Sequence, residues 1–338
     1  MSRAHLAVRH YHALVPALAR AVPRPAATGL STGFIVVLGS AALFGMLGPL
    51  SRFAYEQGME PASFVAWRAL IGLIGIGLVV AWRVRRGTAR LVRPRELTPR
   101  TRATLLLAAS MGFLLNLCMF VAFDRITVAL ALLGFYTYPA LVAVVNVALG
   151  RERMDGTRAA ALLLALAGMV AVVASQLDPA GGIRLDALGF GLALGAALSQ
   201  TVFVVISRDG YREVPTEQVM AVVLLVTVIG ATGMAVAGGA GTSLGQPVRD
   251  PGVLPLLAFT GIFTAAIPSL GFLAGIRSIG GTQAGILMLF EPVVGVGLAA
   301  WLLGEALVPI QALGAVAILA AALLLQRDRR PVVVPGGP

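Results

Sequence analysis

Glu291 and Pro292 stand near the midpoint of an apolar run, Ile279 to Glu305, long enough to cross a bilayer. About 20 residues at roughly 1.5 Å each cover a hydrocarbon core of ~30 Å. An ionisable group at that depth costs at least about 2.5 kcal/mol on insertion scales, so the carboxylate is expected to face a cavity or a partner rather than lipid. Pro292 lacks a backbone N–H and kinks a helix, which frees carbonyls beside the carboxylate. Two chemistries suit such a group: exchange of a proton, or pairing with the cationic part of a solute. The structural alternative is a carboxylate satisfied by helix-cap amides or by an arginine.

Arg68 is the second charged residue inside an apolar run, seven residues from Pro61 and so about 10 Å deep by the helix rise. It can snorkel to the nearer interface. Alternatively it holds a solute carboxylate bidentately or pairs with Glu291, and such a pair would act as a gate. Tyr136 and Tyr138 precede Pro139 in another apolar run, where tyrosine either packs or presents a hydroxyl to a cavity. Asn116, Ser199, Gln200, Thr201 and Thr264 are mid-span polar groups that line a pathway or bond helix to helix. Glu152 and Glu305 fall at span ends, where capping and loop pairing are the expected roles.

Other chemistries are excluded. The single cysteine, Cys118, lies within an apolar run, and His5, His10 and His12 all fall in the first twelve residues. No Cys-based metal site, embedded histidine ligand or Ser–His pair can therefore be built inside the spans. All 26 basic residues are arginine. Without lysine there is no phosphate-binding loop of the Gly-x-x-x-x-Gly-Lys kind. The chain is expected not to be an enzyme and to need no cofactor.

The elements that must position these residues are membrane helices. Hydrophobic residues make up 58% and charged residues 12%, with a mean hydropathy of +0.90, whereas soluble domains carry about 25% charged residues. Apolar runs give ten spans: Gly33–Ser51, Pro61–Trp82, Ala103–Phe123, Thr127–Gly150, Ala159–Gln176, Ala187–Ser207, Gln218–Gly238, Gly252–Ile276, Thr282–Gly304 and Leu307–Gln326. The stretch Gly238–Gly245 reads as either loop or helix. The net charge of +11 follows topology rather than nucleic acid. All arginines except Arg52, Arg68, Arg125, Arg184 and Arg249 fall on one side of the alternating spans, which places both termini in the cytoplasm. The segment Arg83–Arg102 reads as a topology signal, with anionic-lipid binding as the alternative.

The chain also repeats itself. A shift of 153 residues lays Ile126 on Ile279, Pro139 on Pro292 and Glu152 on Glu305, and a shift of 154 lays Pro61 on Pro215. Residues 33–176 and 184–326 therefore read as two five-helix units, between a basic N-terminal tail (1–32) and a short C-terminal tail (327–338). Five is odd, so the second unit is inverted in the membrane, an arrangement typical of secondary transporters with a site at the repeat interface. The 40 glycines fit close helix packing, including Gly191-x-x-x-Gly195 and Gly271-x-x-x-Gly275.

The passage Glu291-Pro292-Val293, Gly304-Glu305, Pro309 to Gly314 and Ala321 to Leu324 resembles the last two helices of EamA-type transporters, in the drug/metabolite transporter superfamily. Tyr138-Pro139, Gly150-Arg151-Glu152 and Gly168 form the first-half cognate. Phe64 to Arg68 is similar to the family's arginine-bearing second helix. Tyr138 stands where a glutamate often precedes the proline; Phe44 and Gln200 stand where tryptophan is frequent. The resemblance implies an all-α membrane protein of ten helices in two inverted five-helix repeats. It also implies transport of small metabolites or drugs, often export of amino acids or related solutes.

The expectation is an inner-membrane secondary transporter working by alternating access. Glu291 and Arg68 lead the site, Tyr138, Gln200, Tyr136 and Asn116 line it, and Pro139 and Pro292 break the helices around it. The expected partners are a small-molecule substrate, the lipid bilayer and protons as coupling ion, with no nucleic acid; a homo-oligomer is compatible. The alternatives are a non-transporting membrane scaffold and a lipid-handling intramembrane protein.

Overall fold

The computed structural model describes residues 31–88, 90–126, 128–175, 186–239, 241–303 and 308–327. The tails before Ser31 and after Arg327, the repeat linker with Arg184, and Glu305 lie outside them. Ten helices are long and apolar enough to cross a membrane, and no strand occurs among the described residues. In chain order they are α1a (Thr32–Gly45) and α1b (Leu47–Glu56), α2 (Pro61–Arg85), α3 (Pro99–Arg125), α4a (Val128–Phe135) and α4b (Tyr138–Ala148), and α5 (Gly156–Ala174). The second half continues with α6 (Ala187–Ser207), α7 (Thr216–Ala237), α8 (Leu254–Ile279 with a π-helical turn at Ile262–Ala266), α9a (Gly281–Met288) and α9b (Glu291–Leu303), and α10 (Pro309–Arg327). Hydrocarbon offers the backbone no water, so each span satisfies its own amides as a helix. Starts are marked by local chemistry. Proline sits in the first turn of α2, α3 and α10, where no N–H is needed. Asp155 and Asp186 cap α5 and α6, accepting from the amides of Arg158 and of Leu188 and Gly189. The ambiguous stretch after α7 resolves into two short helices, Gly241–Leu244 and Gln246–Arg249.

Packing follows a pseudo-twofold relation between the halves. Helix α3 packs on α6 as α8 packs on α1a, and the self-related pairs α2–α7 and α5–α10 run alongside. Helices α5 and α10 touch backbone to backbone: a Cβ at Gly168 would meet the Gly314 carbonyl at 2.6 Å, and one at Gly314 the Gly168 carbonyl at 2.5 Å. The Gly271/Gly275 pair does lie at a close crossing, against Ser40 and Val37 of α1a. The Gly191/Gly195 pair does not, because Gly191 has nothing within 4 Å and Gly195 meets only Cys118 Sγ at 3.6 Å. Large exposed side chains such as Leu78, Leu163, Ile229 and Leu313 point outward and match lipid.

Hydrogen bonds define two faces. One is rich in arginine: Arg83 pairs with Glu217, Thr101 donates to Glu213 at 2.6 Å, and Gln218 exchanges two bonds with the Val92 backbone. There too, Arg277 donates to the Tyr211 and Val214 carbonyls, and Glu152 pairs with Arg208 at 3.0 Å. On the opposite face Arg125 pairs with Asp186 at 2.6 Å, and Trp67 Nε1 donates to the Leu244 carbonyl at 2.9 Å.

The central helices break this symmetry. Halves α4b and α9a pack together, with α9a almost wholly buried. Under the pseudo-twofold, the counterpart contact would join α4a to α9b. Instead α4a packs on α6 and α5, and α9b packs on α1 and α5. The packing of α4 against α9 is thus concentrated towards the arginine-rich face.

Candidate functional site

Breaks in three helices meet at the centre. Helix α4 is interrupted at Tyr136–Thr137 and α9 at Leu289–Phe290, each just before its proline, and α1 is interrupted at Met46. Pro139 and Pro292 each lack the N–H that would bond the carbonyl four residues back, so each helix restarts there. Helix α1 reaches the break in α9 because Gly45 has no side chain: a Cβ there would lie 2.5 Å from the Glu291 carbonyl oxygen and 2.9 Å from Val294 Cβ.

Glu291 opens α9b and is partly buried, with its carboxylate inside the bundle. The Tyr136 hydroxyl is within hydrogen-bonding reach of that carboxylate, and Tyr138 feels its charge. Both tyrosines are buried, with Phe135 packed at 5.3 Å from the Tyr136 ring and 5.2 Å from the Tyr138 ring. One tyrosine thus offers a donor to Glu291, and its neighbour forms part of the wall.

Arg68 reaches the same place from α2. Helices α2 and α8 cross closely at Gly72 and Gly261, where a Cβ on Gly72 would meet the Gly261 carbonyl at 2.9 Å. Arg68 Nη1 donates to the Thr264 carbonyl at 2.9 Å, within the π-helical turn of α8. Pro268, four residues further on, has no N–H to give that carbonyl, which is left for the guanidinium. Arg68 Nε is buried without a partner. Tyr55 of α1b and Glu291 are both within electrostatic range of Arg68.

Arg68 and Glu291 nevertheless do not form an ion pair. Among the described residues, ion pairs closer than 4.0 Å are made by other arginines, and Arg68 is in none of them. An arginine with an unused donor and a glutamate with one hydroxyl partner therefore share a centre without forming an ion pair. That arrangement can receive a solute carrying acceptors towards Arg68 and a donor or cation towards Glu291.

The other sequence candidates fall elsewhere. The Asn116 amide turns back onto its own helix and donates to the Gly112 carbonyl at 2.8 Å. Ser199 and Thr201 do the same on α6, and Thr264 Oγ1 bonds the Thr260 carbonyl. Gln200 is partly buried on α6, and its side chain makes no hydrogen bond among the described residues. Tyr55 and the Thr264 carbonyl were not singled out by sequence reasoning. The carbonyl had a signal in Pro268, four residues beyond Thr264; Tyr55, four residues beyond the Ser51 end expected for the first span, had none. No group of three or more His, Cys, Asp or Glu residues able to hold a metal occurs among the described residues.

Comparison with known proteins fits this geometry. The family model described as "EamA-like transporter family" matches residues 31–174 and again residues 187–327. One solved crystal structure superposes with a TM-score of 0.66 at 20% identity, covering 89% of this chain and 100% of its own, which is a likeness of fold alone. No curated protein matches.

Proposed function

The chain belongs to the EamA-like transporter family, and on that premise we propose that it moves a small polar or amphipathic solute by alternating access, loading it between Arg68 and Glu291. The supporting observation is an arginine and a glutamate, on α2 and α9, that share one centre without forming an ion pair. A solute with a carboxylate and an ammonium, amino acid-like in charge, complements both. The two repeats, 33–176 and 184–326, rock about the centre where α4 and α9 break. With the arginine-rich face in the cytoplasm of an inner-membrane protein, both termini are cytoplasmic, and the packing of α4b on α9a supports a state closed on that side. Export is the favoured direction, and Glu291 is the group that couples movement to protons.

The test is ligand-induced thermal stabilisation of detergent-purified protein, wild type and Glu291→Gln. The panel holds amino acids, nucleosides, sugars, carboxylates and cationic drugs. A ligand at ~100 times its Kd adds about 2.7 kcal/mol of apparent stability, which is readily seen. A hit that Glu291→Gln loses places the carboxylate in the binding site. The absence of any hit favours a membrane scaffold. For proton coupling, the transport pH profile of Glu291→Gln must change; an unchanged profile removes Glu291 from that role.

A further inference from the structure

We propose that Glu152 is the catch that holds the arginine-rich face closed, by tying the turn after α4b to α6 and to the first turn of α9a. Given alternating access as read above, some contact must hold the halves α4b and α9a together and then release them. Glu152 sits where they end. Its Oε1 accepts from Arg208 Nη1 at 3.0 Å, just beyond α6, from the Gly281 amide at 3.1 Å, at the start of α9a, and from Asn146 Nδ2 at 3.3 Å, on α4b. Asn146 Nδ2 also bonds Thr282 Oγ1 at 3.3 Å, so α4b and α9a are bridged twice.

The backbone is shaped for this contact. The amides of Arg151 and Glu152 both turn back onto the Asn146 carbonyl, which fixes the carboxylate's approach. Gly280 has φ +91°, in the region open mainly to glycine, and a Cβ there would lie 2.8 Å from Glu152 Oε1. Only glycine lets the carboxylate reach the α9a amide. Between this cluster and the centre the crossing is largely apolar, with Val142 beside Gly281 and Pro139 and the Tyr138 ring beside Gly285. Surfaces of that kind part without stranding polar groups. The charged groups lie towards the arginine-rich face, with Arg208 15% and Glu152 7% exposed, and parting of α4b from α9a would bring water to each lost partner. The cluster therefore closes one side without permanently joining the repeats. Its position also explains the asymmetry of the fold, since α4b and α9a are joined while the corresponding halves α4a and α9b are not.

The test uses the full chain with Cys118→Ala and a single reporter, Val142→Cys, which is buried at the α4b–α9a crossing. Reaction with a membrane-impermeant maleimide is followed in nanodiscs, with no solute present. Glu152→Gln and Arg208→Gln are each expected to speed labelling about tenfold, the change that ~1.4 kcal/mol produces. The double variant is expected to be no faster than the faster single, because the two charges act through one contact. Less than a threefold change in both singles overturns the proposal, as does multiplication of their effects. It also falls if neither single yields monodisperse protein, since the contact would then be a fixed part of the fold. A second reporter, Val296→Cys on α9b, separates this result from the transport reading. Faster Val142→Cys labelling with slower Val296→Cys labelling supports catch and alternation together. Faster labelling at Val142→Cys alone keeps the catch and refutes alternation.

Discussion

Replacing Arg68 with methionine separates a binding role from a packing role, because the two predict opposite balances of stability and affinity. The substitution keeps the aliphatic stem and removes a hydrogen bond from a charged donor to the Thr264 carbonyl. Such bonds contribute about 1.5–3 kcal/mol net. It also removes Nε, buried without a partner, and an unpaired buried donor costs about 1–3 kcal/mol, more when charged. The terms oppose each other, so folding stability should move by no more than about 2 kcal/mol. Had Arg68 been one half of a buried structural pair, losing it would cost about 3–5 kcal/mol. Binding should behave differently. Loss of one partner of a buried charged contact weakens association by about 2–5 kcal/mol, roughly 30-fold to several thousandfold at ~1.4 kcal/mol per decade. The measurements are equilibrium unfolding in mixed micelles and ligand-induced stabilisation with whichever solute binds the wild type. A stability loss above about 4 kcal/mol refutes the reasoning, because it makes Arg68 a structural ion. Unchanged ligand stabilisation in a folded variant refutes it from the other side.

Two further outcomes are expected. Gly45→Ala should lose about 1–3 kcal/mol by overpacking, because its Cβ would meet the Glu291 carbonyl, which belongs to backbone and cannot yield cheaply. Gly39→Ala, with nothing within 4 Å, should be neutral or slightly stabilising, and equal melting shifts would refute the close approach of α1 to α9. Asp186→Asn should lower the melting temperature at neutral pH and not in acid. The hydrogen bond from Arg125, helped by the Leu188 and Gly189 amides, holds the Asp186 carboxyl below its usual 3.8. Its contribution is thus present above about pH 4 and is lost as pH falls through the lowered value; a wild type–variant difference that persists at low pH removes the carboxylate's role.

Much of the molecule was legible in the chain because hydrocarbon is a strict solvent. Charges inside apolar runs stand out, so Glu291 and Arg68 could be singled out before any helix was placed, and Pro139 and Pro292 marked their own breaks. The spans were recognisable by the same contrast, to within a few residues. What could not be read was which surfaces meet. The amide of Asn116 is satisfied by the carbonyl four residues back, and sequence cannot tell that from a group facing a pathway. The Gly191/Gly195 spacing suggested a helix crossing, yet the tightest contact of α5 with α10 is made by Gly168 and Gly314, which have no such spacing. Arg68 could snorkel, pair or bind; its tether to Thr264 depends on α8 lying beside α2 and on a proline one turn further along.

The repeat-equivalent positions of Tyr138 and Glu291 also bear on how such a chain can be assembled. Two identical second halves, docked antiparallel, would bring two carboxylates to one centre, and like charges at short range resist being ionised together. Two identical first halves would bring tyrosines and two Arg68 guanidiniums, with no carboxylate between them. Only unlike halves place a carboxylate opposite a hydroxyl that can donate to it, as Tyr136 does for Glu291. Linking both halves in one chain guarantees that unlike halves meet in every molecule, something a self-assembling homodimer could not do.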